Sequence, residues 1–84
     1  RRAALAALER GDARGALTPA WWWFASAVLN DQPDSALTTH DVIARSRRQD
    51  LREPARVLDR LRFGAAAPTP PEVRRLLSDL EARV

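Results

Sequence analysis

Residues 69–84 read Thr69-Pro70-Pro71-Glu72-Val73-Arg74-Arg75-Leu76-Leu77-Ser78-Asp79-Leu80-Glu81-Ala82-Arg83-Val84. A threonine followed three residues later by glutamate is a capping box, and prolines are tolerated in a helix's first turn, where the N–H has no partner to lose. Val73, Leu76, Leu77, Leu80 and Val84 then recur at i, i+3, i+4, i+7 and i+11. That is the 3.6-residue period of a helix with one apolar stripe. We expect a closing helix with Leu76, Leu77 and Leu80 in the core.

The same signals recur toward the N-terminus. Leu51, Ala55, Leu58 and Leu61, supported by Val57, give a fourth helix. Asp50 or Glu53 opens it, Pro54 falls near its first turn and Gly64 ends it. Thr38 with Asp41 is a second capping box, opening a short third helix that carries Val42 and Ile43. Asn30 to Ser35 is a polar loop. The second helix includes Trp21 to Leu29. It begins either at Thr18-Pro19 or at Asp12, in the latter case bending at Pro19 with Gly15 easing the clash one turn earlier. Helix one spans about Arg2 to Arg10, with Leu5 and Leu8 on one face and Gly11 as its stop. No segment alternates with period two, so no sheet is expected. The fold expected is all-α, one small bundle of four to five short helices over residues 1–84.

Eighty-four residues with 45% hydrophobic content make one modest core. The chain opens at Arg1-Arg2 without methionine, and we expect it to be a piece of a longer protein. There is no cysteine, so no disulfide, thiolate nucleophile or zinc-thiolate site. All fourteen basic residues are arginine, which removes Schiff-base lysines and the lysine of a phosphate-binding loop. Arginine in place of lysine, with abundant alanine and leucine, fits a GC-rich bacterial genome. The net charge of +3 is compatible with an acidic partner and too weak to demand nucleic acid. The longest apolar run, Ala20 to Leu29, is half the ~20 residues a membrane span requires.

Trp21-Trp22-Trp23-Phe24 holds four of the chain's five aromatic residues. Successive helical residues turn by ~100°, so one face cannot take all four rings. On a wheel, Trp21, Phe24, Ala25 and Val28 share a face flanked by Trp22 and Leu29, and Trp23 falls opposite. Trp23 either packs against a neighbouring element as core or is an exposed anchor for a partner, a second copy or a membrane surface. It is expected to be more exposed than Trp21.

The arginines form loose clusters. Arg45, Arg47, Arg48 and Arg52 come first, then Arg56, Arg60 and Arg62, then Arg74 and Arg75. Acidic residues are interleaved, and Arg56 with Asp59 and Arg75 with Asp79 have the spacing of helical ion pairs. A solvated mixed-charge surface is the first reading. The second is a helix-turn-helix whose arginine-bearing helix enters a DNA groove, although no polar base-reading face accompanies it. His40 is the only histidine and falls in the first turn of a short helix. Ser35, Ser46 and Ser78 have no activating context. We therefore expect no catalytic residue, no metal site and no cofactor.

Leu37-Thr38-Thr39-His40-Asp41-Val42-Ile43-Ala44-Arg45 resembles the Thr-x-x-acid-apolar-apolar-Ala-Arg helix start of a bacterial domain. Leu58-Asp59-Arg60-Leu61-Arg62-Phe63-Gly64 resembles its Arg-Phe/Tyr-Gly helix end, and the final helix resembles its closing segment. This is the C-terminal cytosolic helical domain of bacterial transglutaminase-like and Bat aerotolerance-type membrane proteins. The likeness covers residues 37 to 80, with weaker agreement at Ala3 to Ala16, and the triple tryptophan departs from it. It implies an accessory module without catalytic residues, on the cytosolic side of a membrane protein, acting through protein contacts. The function expected is a non-enzymatic interaction or adaptor module with a protein partner or a second copy. Trp23, Arg45, Arg47 and Arg48 are the candidate contact residues. Nucleic acid ranks second, and a membrane enters only through other parts of the parent chain.

Overall fold

A computed structural model describes residues 2–33 and 36–84. Five helices follow in order: α1 (Arg2–Glu9), α2 (Ala13–Leu29), α3 (Thr39–Ser46), α4 (Arg52–Phe63) and α5 (Pro70–Arg83). A short 3₁₀ turn, Gln49–Leu51, leads into α4. No strand occurs among the described residues. The fold is a small all-α bundle, as expected from the helical stripes.

Local chemistry explains the boundaries. After α1, the Gly11 N–H donates to the Leu8 carbonyl at 2.9 Å and the Asp12 N–H to the Ala7 carbonyl at 2.9 Å. This is a Schellman closure, and it needs a left-handed residue, which Gly11 supplies at φ +77°. Of the two beginnings considered for the second helix, the earlier one forms. Asp12 caps α2 by accepting from the Gly15 N–H at 2.8 Å, and Pro19 lies inside the helix. Asn30, left-handed at φ 54°, closes it. Two residues of the polar loop, Asp34 and Ser35, lie outside the described residues, and Arg1 does too.

Thr38 opens α3 with the expected box. The Asp41 N–H donates to the Thr38 hydroxyl at 3.1 Å, and the Thr38 N–H donates to the Asp41 carboxylate at 3.0 Å. Those bonds hold the Asp41 carboxyl below its ordinary range, the Thr38 backbone N–H contributing most. The start of α4 differs from expectation. Neither Asp50 nor Glu53 caps it; the preceding 3₁₀ turn delivers the chain to Arg52, and Leu51 at the cap position is buried. Pro54 still falls in the first turn, where its missing N–H costs no helical bond. Gly64 ends α4 with extended backbone, and a side chain there would collide with the Arg60 carbonyl. At α5 the Glu72 carboxylate accepts from the Thr69 N–H at 3.2 Å and from its hydroxyl at 2.9 Å.

Helix α2 is the hub and packs against all four other helices. Its buried stripe runs Ala13, Ala16, Leu17, Ala20, Trp21, Phe24 and Ala25. The four alanines let neighbours approach closely, while Trp21 and Phe24 fill the remaining volume. Val73, Leu76, Leu77 and Leu80 of α5 are buried against this core as expected. Val84, the fifth member of that stripe, is 44% exposed because it lies past the last helical turn. Leu51, Ala55, Leu58 and Leu61 close the core from α4.

Candidate interaction surface

The aromatic run is distributed by the geometry of α2. Phe24 is wholly buried and Trp21 is 4% exposed. Trp23 is half-buried and packs against the core edge, so it is more exposed than Trp21, as expected. The most exposed of the three indoles, however, is Trp22, at 37%. The short wheel over residues 21–29 placed Trp22 beside the core. The buried stripe actually extends back to Ala13 and centres on Phe24. At ~100° per residue Trp23 stands ~100° from Phe24, whereas Trp22 stands ~160° away. The full length of α2 therefore turns Trp22, not Trp23, farthest from the core.

Trp21 is fixed by a buried polar relay. Its indole N–H donates to the Thr39 hydroxyl at 3.1 Å, and that hydroxyl donates to the Asp59 carboxylate at 2.7 Å. Thr39 is the one buried polar residue among the described residues, and its hydroxyl both accepts and donates. The relay ties α2 to α3 and α4 across sequence separations of 18 and 20 residues. No local pattern signals such contacts, and sequence reasoning missed them.

Arg62 lies over the Trp21 ring at 5.3 Å and over the Phe63 ring at 4.7 Å, both within cation–π reach. Desolvation lowers the affinity of its guanidinium for the proton, and the charge of Asp59 opposes that effect. Trp22 meets Trp21 edge-to-face, with centroids 5.2 Å apart and planes at 90°. Trp22, Trp21, Arg62 and Phe63 thus form one chain of contacts that starts and ends on exposed aromatic rings. Phe63 is 73% exposed. The exposed residues Gly64, Ala65, Ala66 and Ala67 follow it.

The arginine candidates separate. Arg48 makes a two-point ion pair with Asp50, at 3.0 and 2.9 Å, and donates to the Arg83 carbonyl at 2.6 Å. Arg83 donates back to the Asp50 carbonyl at 2.8 Å and pairs with Asp79 at 2.9 Å. Arg48 is therefore committed to clamping the end of α5 onto the turn before α4, and it holds the Asp50 carboxyl below its ordinary range. Arg45 and Arg47 are exposed; Arg47 adopts φ 56° to end α3. The structure brings none of them to Trp23 through any recorded contact.

Two expected ion pairs are replaced by others. Arg56 pairs with Glu53 at 3.5 Å rather than with Asp59, and Asp79 pairs with Arg83 rather than with Arg75. In both observed pairs the acid precedes the arginine, the order that also suits the helix dipole. Asp59 is meanwhile drawn inward by Thr39. His40 is exposed, and no group of three or more metal-ligating side chains gathers among the described residues. No helix among them is long and apolar enough to cross a membrane. Compared with known protein families, curated proteins and solved structures, the chain matches none.

Proposed function

We propose that this domain is a non-enzymatic protein-interaction module of a larger bacterial protein. The observation that carries the reading is the exposed pair Trp22 and Phe63, joined through Trp21 and Arg62. Tryptophan and arginine dominate binding hot spots because large rings and a planar cation bury much area for little lost freedom. Here the arginine is already stacked and partly desolvated, so its ordering cost is met before a partner arrives. The resemblance of residues 37 to 80 to the cytosolic domain of transglutaminase-like and Bat-type membrane proteins supports an accessory role beside a membrane.

The test compares wild type with Trp22→Ala and Phe63→Ala. Association is read by sedimentation at rising concentration and by capture of partners from a bacterial extract, and folding by thermal melting. Association lost in both variants, with melting within a few degrees of wild type, is the expected result. Identical association in all three proteins refutes the reading.

A second reading, DNA binding, is favoured by one observation. Arg52, Arg56 and Arg60 fall at four-residue intervals on exposed positions of α4, which follows α3 after a tight turn. Phosphate contacts of that kind give weak binding with a steep salt dependence. Sequence-specific binding at physiological salt would place this reading first.

A further inference from the structure

Arg62 is the charged member of the aromatic patch, and it has no polar partner. Its guanidinium stands over the Trp21 and Phe63 rings at 5.3 and 4.7 Å. Ring faces attract the cation but leave its N–H donors without an ordinary acceptor. Among the described residues Arg62 makes no hydrogen bond and no ion pair. Asp59, one turn back, acts on it through charge alone, its carboxylate being bonded to the buried Thr39 hydroxyl at 2.7 Å. No side-chain nitrogen among the described residues is both buried and unpartnered, so the Arg62 donors reach the surface. Arg62 is thus partly stripped of water, held by two rings and open to a ligand. The segments that build the patch supply no other carboxylate. From Arg60 to Pro71 the chain holds two arginines and no acid, and from Gly15 to Asn30, along the helix that carries Trp22, it holds no charged residue.

We propose that the patch binds a segment of a partner protein that places one aspartate or glutamate side chain on Arg62, with flanking apolar residues on Trp22 and Phe63. The inference rests on the interaction reading above and names the partner's chemistry. Charge complementarity selects the carboxylate. It is planar and accepts two parallel N–H bonds from a guanidinium group. Because Arg62 has already given up part of its hydration, pairing there displaces less water than at a free arginine. The rings on either side, 37% and 73% exposed, supply the apolar area that shields the ion pair from solvent. A nucleic-acid strand or an anionic lipid surface fits less well. Both are held by several cations in a row, and the uncharged length of α2 provides none on its side of the patch.

The experiment uses two short blocked peptides, one with a single glutamate between leucines and one with glutamine in its place. NMR titrations follow the Trp22 indole N–H and the Arg62 Nε–H. The glutamate peptide should bind at least about tenfold more tightly, as expected for a charged hydrogen-bonded pair, and salt should narrow the difference. Arg62→Gln should bind the two peptides equally, with its affinity for the glutamine peptide unchanged. Arg62→Lys keeps the stem and the charge, so it should melt like wild type and lose part of the preference. Trp22→Ala and Phe63→Ala should weaken both peptides alike and leave the preference intact. Equal binding of the two peptides by wild type, no binding of either, or a preference undiminished in both Arg62 variants would overturn the proposal. So would tighter binding, through Arg62, of a single-stranded oligonucleotide or of vesicles containing anionic lipid. In the sedimentation assay, association lost in Trp22→Ala but kept in Arg62→Gln would overturn this proposal alone; association kept in every variant would overturn the aromatic-patch reading with it.

Discussion

Replacing Thr39 with valine removes the hydroxyl at the centre of the buried relay and keeps the β-branched shape. Two hydrogen bonds are lost together. The bond from the Trp21 indole is neutral, and such bonds contribute about 0.5–1.5 kcal/mol; the bond to the Asp59 carboxylate belongs to the charged class, about 1.5–3 kcal/mol. Asp59 is only partly buried, so water replaces some of what it loses, whereas the Trp21 N–H is left unpaired in the core. The net cost expected is ~2–3 kcal/mol. A chain of 84 residues has roughly 4–13 kcal/mol of stability in total. The loss therefore lowers the melting midpoint by roughly 10–20 °C. Urea unfolding followed by tryptophan fluorescence measures it directly. A double-mutant cycle with Asp59→Ala should give a coupling of at least ~0.5 kcal/mol, since the two residues share one network. If Thr39→Val unfolds within ~0.5 kcal/mol of wild type, or the two substitutions add independently, the relay does not hold the three helices together.

Other outcomes follow from the same geometry. Leu80 is wholly buried, and Leu80→Ala should cost ~2–5 kcal/mol in urea unfolding; an unchanged midpoint would show that the α5 stripe is not core. Trp21→Ala should lower the melting temperature well below that of Trp23→Ala, because Trp21 is buried and hydrogen-bonded while Trp23 lies at the edge; equal losses would make both rings core. Asp41 and Asp50 have carboxyls depressed in the folded state, so their contribution is present above the unfolded value near ~4 and disappears as pH falls through the lower folded values. Melting temperature should be flat from pH 7 to about 5 and then fall, less steeply in Asp41→Ala; an identical slope in that variant would remove the capping box from the account.

The helices were legible in the sequence because helix ends are decided within a few residues. The Thr38–Asp41 and Thr69–Glu72 boxes, Gly11 after α1 and the Val73–Leu80 stripe are each local, and each occurs where its residues predict. The same locality explains where sequence reasoning stopped. Two beginnings of α2 were open to its residues, and only the longer helix carries the whole buried stripe against which the tryptophans are placed. Trp22 rather than Trp23 is turned outward because the buried stripe of α2 starts eight residues before Trp21, where four other helices determine its orientation. Thr39 and Asp59 lie 20 residues apart and Arg48 and Arg83 lie 35 apart, and nothing in the intervening chain encodes their meeting. Sequence by itself determined that this chain is all-helical and where most of its helices begin and end. Only the tertiary packing decided which aromatic rings stay exposed and which arginines are paired, because exposure and pairing depend on neighbours that are distant along the chain.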